Sequence, residues 1–386
     1  MIKHTNFKKI SLIILIIMFS LSLFGCADTR EIDQRTIVIG MGLDKTEEDE
    51  YIVTLQVPIL VPNGATESGT NDFETITGKG EFVWEAITNL EASTPTVLFF
   101  GHLKAIAIGE RLATEGMDHI IDLLDRRAPL ANEVFLLIIR KQNDVHDFLN
   151  QESPLISLPA LYIDRFFGAD QKVSRTKSVR LFQFRRDHDM VSHAATIPLA
   201  YSNEDSIFIE DLGVFHNFKL VGELKGHEAG VGMLLKDKKV DHMNYSLDIE
   251  QPNTNLKASI RVNLVNNISY DKTNPVKMNF NINGKGELVY LYPEGIYSSQ
   301  ETLNKIVREL EKEISQDITD TINKMKRLNV EPWLLGHRIW AMDTEYFSTL
   351  NWNETGWRDA EYDVSVNVEI EQTGQRGMLD KKKIGD

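Results

Sequence analysis

From Ile10 to Phe24 the chain is apolar at every position except Ser11, Ser20 and Ser22, and Asp28, Arg30 and Glu31 follow almost at once. A spanning helix needs about 20 apolar residues, so this run has the length of a signal-peptide core instead. Beyond it, RTIVIGMGLDK and YIVTLQVPILV are β-rich runs joined by the acidic TEEDE, which predicts a strand pair. Residues 62–80 are rich in Gly, Thr, Ser and Asn and read as a loop ending in a short strand. In EFVWEAITNLEAS, Val83, Ala86, Ile87 and Leu90 share a helical face. LFF and LKAIAIG then read as strand, RLATEGMDHIIDLLDRR as helix and EVFLLIIRK as buried strand, with two more helices in PALYIDRFFG and KSVRLFQFRRDHD. Strands alternating with helices predict a mixed α/β domain with a covered sheet.

The polar run YSNEDS (201–206) marks the expected boundary, and the texture changes after it. IFIEDLGVFHNFKLVGEL predicts strands turning around His216-Asn217-Phe218-Lys219, and ASIRVNLV, PVKMNFNIN and GELVYLYP continue a series of strands. Residues 299–328 then give a strongly amphipathic helix, with Leu303, Ile306, Val307, Leu310, Ile314, Ile318, Ile322, Met325 and Leu328 at three and four spacing. A second helical stretch runs from Trp333 to Phe347. In YDVSVNVEI, Tyr362, Val364, Val366, Val368 and Ile370 alternate as in a half-buried antiparallel strand. The chain thus divides into a signal peptide over 1–25, an N-terminal mixed α/β domain over 26–203, a C-terminal α+β domain over 204–373 with room for two subdomains, and a polar tail over 374–386. The fold class is α+β, multi-domain.

Cysteine usage sharpens the picture of the first 26 residues. Cys26 is the single cysteine of 386 residues, so neither an internal disulfide nor a multi-thiolate metal site can form. It stands directly after the apolar run, whose basic flank holds Lys3, Lys8 and Lys9. Leu23-Phe24-Gly25-Cys26 resembles a bacterial lipobox, with Phe24 where a small residue is commoner. Cleavage before Cys26 would leave a lipidated N-terminus, and two or more acyl chains hold a membrane where one binds marginally. An uncleaved N-terminal anchor helix is the plainer competing reading.

Charge narrows the partners. The first 25 residues hold three lysines and no acid, so their removal takes the 42 basic residues to 39 against 57 acidic ones, a net charge of −18. A chain this acidic repels nucleic acid and anionic head groups.

Candidate chemistry is sparse. Gly40-Met41-Gly42 follows a strand but lacks the third glycine and the helix of a dinucleotide fingerprint, and reads as a β-turn or bulge. The two Gly-Lys-Gly stretches, ITGKGEFV (76–83) and INGKGELV (282–289), lack the features of a phosphate loop and read as turns. The ten histidines are scattered; His188 and His193 have no helical ligand spacing with a carboxylate. No Gly-x-Ser-x-Gly elbow occurs. Asn244, Asn267 and Asn353 match a glycosylation sequon by chance if the source is bacterial. No catalytic residue, cofactor site or metal site is expected.

Several stretches in order resemble one family, the C-subunit lipoproteins of spore germinant receptors (Ger(x)C). They are Cys26-Ala27-Asp28-Thr29-Arg30-Glu31-Ile32 with IVIGMGLDK after it, FFGHLKAIAIGERLATEG (99–116), DLGVFHNFKLVGEL (211–224), LEKEISQDITDTINKMKRLNVEPWLLGHRI (310–339) and VSVNVEIEQTG (364–374). Ala27 stands where the family often has Trp. The resemblance implies a non-enzymatic subunit, lipid-anchored through Cys26 on the outer face of the inner spore membrane. It further implies an A subunit with membrane helices and a permease-like B subunit as partners. The alternative is a solute-binding lipoprotein of an uptake system, which would need two similar lobes around a cleft. A lipoprotein hydrolase is a third class and lacks a recognisable nucleophile.

Overall fold

The computed structural model describes residues 34–59, 73–126, 133–153, 155–169, 174–203, 206–250, 255–293 and 300–372. The most apolar runs of the first half become strands covered on both sides. β6 (Ala105–Gly109) and β7 (Phe135–Ile139) are buried at every position, as parallel strands between helical layers should be. β2 (Gly40–Lys45) and β8 (Ala194–Ser202) flank them in parallel. β3 (Tyr51–Pro58), β4 (Phe73–Gly80), β9 (Ile207–His216) and β10 (Lys219–Leu224) add antiparallel margins, giving an eight-stranded sheet of order β10-β9-β8-β7-β6-β2-β3-β4. β1 (Arg35–Ile37) and β5 (Val97–Phe99) form a separate short parallel pair. On one face of the large sheet pack α1 (Val83–Ser93), α2 (Glu110–Glu115), α3 (Asp118–Arg126) and a helix at Leu181–His188; on the other pack α4 (Val145–Asn150) and α5 (Pro159–Gly168). The Leu181–His188 helix is α6.

Glycine misleads in three places, because close approach and turn formation call for the same residue. Gly40 and Gly42 lie inside β2, and a Cβ on Gly42 would come within 2.7 Å of Val145 in α4. Gly78-Lys79-Gly80 completes β4, where a Cβ on Gly78 would meet the Ala86 carbonyl of α1 at 2.5 Å. Gly284-Lys285-Gly286 is likewise within a strand, described below. None of the three is the turn that its sequence suggests. The helix expected from Arg111 to Arg127 is broken at Gly116, whose φ of 135° separates α2 from α3.

The first sheet also runs on past the polar run 201–206. Asn203 N–H donates to the Ser206 carbonyl at 3.0 Å, and β9 pairs back along β8 from Ser202↔Ile207 to Ala194↔His216. Two strands beyond that run therefore belong to the N-terminal sheet, which ends at Leu224.

The second sheet is β11 (Lys239–Ile249), β12 (Leu256–Asp271), β13 (Lys277–Tyr292) and β14 (Glu361–Gln372), in that order. Strict alternation buries one face of β12 and exposes the other. The first three strands are antiparallel, but β14 is parallel to β13, from Lys277↔Glu361 to Gly286↔Ile370. That corrects the antiparallel expectation. The long helix α8 (Gln300–Leu328) carries the chain back along the sheet, so β14 starts at the end where β13 starts. Ile306, Leu310, Ile314, Ile318, Ile322 and Met325 of α8 are buried, while Leu328 is exposed. Burying six such side chains contributes roughly 10 kcal/mol of transfer free energy. A helix that the sequence pattern does not reveal, α7 (His227–Asp237), lies beside α8; every residue from Ala229 to Leu235 is buried, so it has no polar face to read. The core under the second sheet takes in Ala194, Leu212, Val214 and Leu224 of the first, so the two halves share packed apolar contacts.

Candidate functional site

Two buried carboxylates tie the halves together where they meet. After α8 the chain turns through Val330-Glu331-Pro332-Trp333 into α9 (Leu335–Met342). Glu331 is 2 % exposed. Its Oε1 accepts from the Trp333 N–H at 2.7 Å, and its Oε2 from the Gly336 N–H at 3.1 Å and the Ser192 hydroxyl at 2.8 Å. Burial pushes the carboxyl pKa up, and the N–H groups of Leu335, Gly336 and Trp333 with the Ser192 hydroxyl pull it back. Ser192 lies between α6 and β8, so this one carboxylate ties the second half to the first. Trp352 Nε1 donates to the same hydroxyl at 3.2 Å, and Gly336 leaves space for that indole, which would sit 2.2 Å from a Cβ there. Leu334 stands in the left-handed region at φ 62°, a conformation of order 1 kcal/mol uphill for such a residue, held by the turn that Glu331 organises.

A second tie lies alongside. Asp187 of α6 is 4 % exposed and pairs with Lys236 of α7 at 2.5 Å and with Arg186 at 2.6 Å. Arg338 of α9 donates to the Leu235 and Lys236 carbonyls at the end of α7, where a cation meets the negative end of the helix. In the first sheet, Arg140 after β7 bridges Asp211 at 2.6 Å and Glu223 at 2.8 Å, which ties the β9–β10 hairpin to the parallel strands.

The arrangement nearest to catalytic form is His227 with Asp317. His227 Nδ1 lies 3.1 Å from Asp317 Oδ2 and Nε2 lies 2.9 Å from the Asn244 carbonyl, while the Tyr245 hydroxyl donates to the same Oδ2 at 3.1 Å. Both ring nitrogens are therefore engaged, and neither is free to take a proton from a substrate. Two acceptors suit an imidazolium, and the hydrogen bond to Asp317 raises the His227 pKa against burial. The folded value then exceeds the unfolded 6.5, so the stability this pair contributes is complete below about pH 6.5 and lost as pH rises through the raised value. His227 is 43 % exposed, which keeps the effect near ~0.5 kcal/mol or less. Unfolding of the wild type and His227→Gln at about pH 5.5 and about pH 8.5 should show a stability gap at the lower pH that closes at the higher. A gap independent of pH would contradict the pairing.

Among the described residues one group of three metal-capable side chains exists, Asp144, His146 and Asp147, all exposed. Its geometry is that of a helix start: Asp144 caps α4 by accepting from the His146 N–H at 2.7 Å. His188 stacks on Phe218 at 3.5 Å between ring centres, with His193 5.8 Å away; burial lowers the His188 pKa. Cys26 and its neighbours Leu23, Phe24 and Gly25 lie outside the described residues. Among the described residues no helix is long and apolar enough to cross a membrane. The seam around Glu331 escapes a reading by motif, although an acid set between Val330 and Pro332-Trp333 is a usable signal of a buried carboxylate.

Two family regions cover most of the chain. Residues 28–200 match the family described as "Spore germination protein N-terminal domain", and residues 210–374 the family described as "Spore germination B3/ GerAC like, C-terminal". The chain belongs to the GerAC-like family of spore germination C-subunit proteins. Its relatives include the putative spore germination protein YfkR of Bacillus subtilis, 23 % identical over 95 % of this chain and 97 % of the relative. Spore germination protein KC of the same organism is 22 % identical over 98 % and 99 %. The crystal structure of the GerBC protein shares the fold, with a TM-score of 0.50 and 17 % identity over 86 % of this chain and 97 % of that one. The two family regions meet between residues 200 and 210, one hairpin ahead of the last strand of the first sheet.

Proposed function

We propose that this chain is a lipid-anchored, non-enzymatic subunit of a nutrient germinant receptor, required for spore germination. Cys26, after Leu23, Phe24 and Gly25, is the acylation point, carrying S-diacylglycerol and an N-acyl group. The folded part stands on the outer face of the inner spore membrane, beside an A subunit with membrane helices and a permease-like B subunit. The observation that carries this reading is the match of both family regions, in order and over nearly the whole chain. A lone thiol placed directly after an apolar, signal-length run supports the anchor. The engaged nitrogens of His227 support a role without catalysis. The uptake-protein alternative calls for two like lobes, whereas an eight-stranded mixed sheet and a four-stranded sheet under one long helix are unlike.

Cys26→Ala tests the anchor, because no other thiol can accept the lipid. In sporulating cells the variant should migrate as an unprocessed precursor and lose the lipid label. A processed, lipid-labelled product from the variant would refute the assignment of Cys26.

A further inference from the structure

The second sheet has an outer face that α7 and α8 do not cover. Asn263, Asn267, Asn279, Asn281, Asn283 and Asn367 of its strands project there together with Asn244, all but Asn279 exposed. Asparagine is among the residues least suited to strands. A polar strand position is better filled by Thr, so these amides call for another explanation. The register makes them one tract: Asn267 is opposite Asn281, Asn283 is opposite Asn367, and Asn281 and Asn283 are same-face neighbours on β13. Asn267, Asn281, Asn283 and Asn367 make no side-chain hydrogen bond among the described residues. Beside them lies a shallow concavity of about 390 Å³ bordered by Asn263, Val265, Asn283, Lys285, Asn367 and Glu369. Farther along β13, Tyr290 and Tyr292 are half exposed on the same face, opposite Ser259 and Lys257.

We propose that this face binds a neutral glycan chain of acetamido sugars. Each free amide offers two donors and an acceptor, the complement of a hydroxyl or acetamide group. Neighbouring strands set the amides about 4.8 Å apart, and same-face positions along a strand about 6.8 Å apart, so several sugar groups meet the tract at once. Tyr290 stands seven residues from Asn283, about 23 Å along the strand, a span suited to a polymer with an aromatic ring at its far end. At the concavity Lys239 pairs with Asp241 and Lys285 stands opposite Glu369, so the charges balance, and a protein of net charge −15 disfavours a polyanion. A protein partner fits less well, because interface cores are rich in aromatic residues, Met and Arg, whereas the middle of this face is amide.

The detergent-solubilised full chain, sedimented with insoluble chitin, tests the proposal, with N-acetylglucosamine hexamer as competitor. The wild type should be retained and released by the hexamer. The double variant Asn281→Thr with Asn283→Thr should lose about tenfold in retention, the effect of roughly 1.4 kcal/mol, with no fall in melting temperature. Failure of the wild type to sediment, or equal retention of the double variant, would overturn the proposal. So would a double variant that loses a protein partner while no glycan is retained by either form.

Discussion

Ile314→Asp lowers the stability of the folded chain by about 4 kcal/mol. Ile314 is completely buried in the middle of the apolar stripe of α8, in the core that the second sheet shares with the first half. A carboxylate placed there loses its water and gains no partner in an apolar core. Glu313, one residue earlier, is exposed, and Glu313→Gln should stay within about 0.5 kcal/mol of the wild type. Thermal melts of the three proteins under one condition decide the matter. Equal melting of both variants near the wild type would mean that the stripe faces solvent, awaiting a partner.

Glu331→Ala lowers stability by about 3 kcal/mol. The substitution removes the acceptor for the Trp333 and Gly336 N–H groups and for the Ser192 hydroxyl, all in a buried setting. It also frees the left-handed Leu334 from the turn that holds it. Glu331→Gln should be intermediate, because its amide nitrogen faces donors where an oxygen accepted. Denaturant unfolding measures both. A loss below about 0.5 kcal/mol for the alanine variant would contradict the role given to the carboxylate.

Much of the fold is legible in the chain because burial is one-sided there. The alternation in β12 and β13 and the stripe of α8 each face a core on one side and water on the other. Where burial is on all sides the signal fails: α7 shows no polar face and goes unread. Alternation also says nothing of direction, which is why β14 reads as antiparallel until the return path through α8 is known. Gly78 reads as a turn because the reason for it, the Ala86 carbonyl of α1, lies in another element. The apolar neighbours of Glu331 hint at its burial, but its partner Ser192 is distant in sequence and no local pattern carries that tie. The proposed lipidation site is the reverse case, resting wholly on a local pattern around Cys26 and lying outside the described residues.

The central claim, a lipid-anchored subunit of a membrane receptor, is tested most directly by affinity purification of the full chain from detergent-solubilised membranes of dormant spores. The predicted result is co-purification of two integral membrane proteins, one of them permease-like, with this chain carrying lipid on Cys26. Recovery of the chain alone from the membrane fraction, or with the components of an uptake transporter, would contradict it.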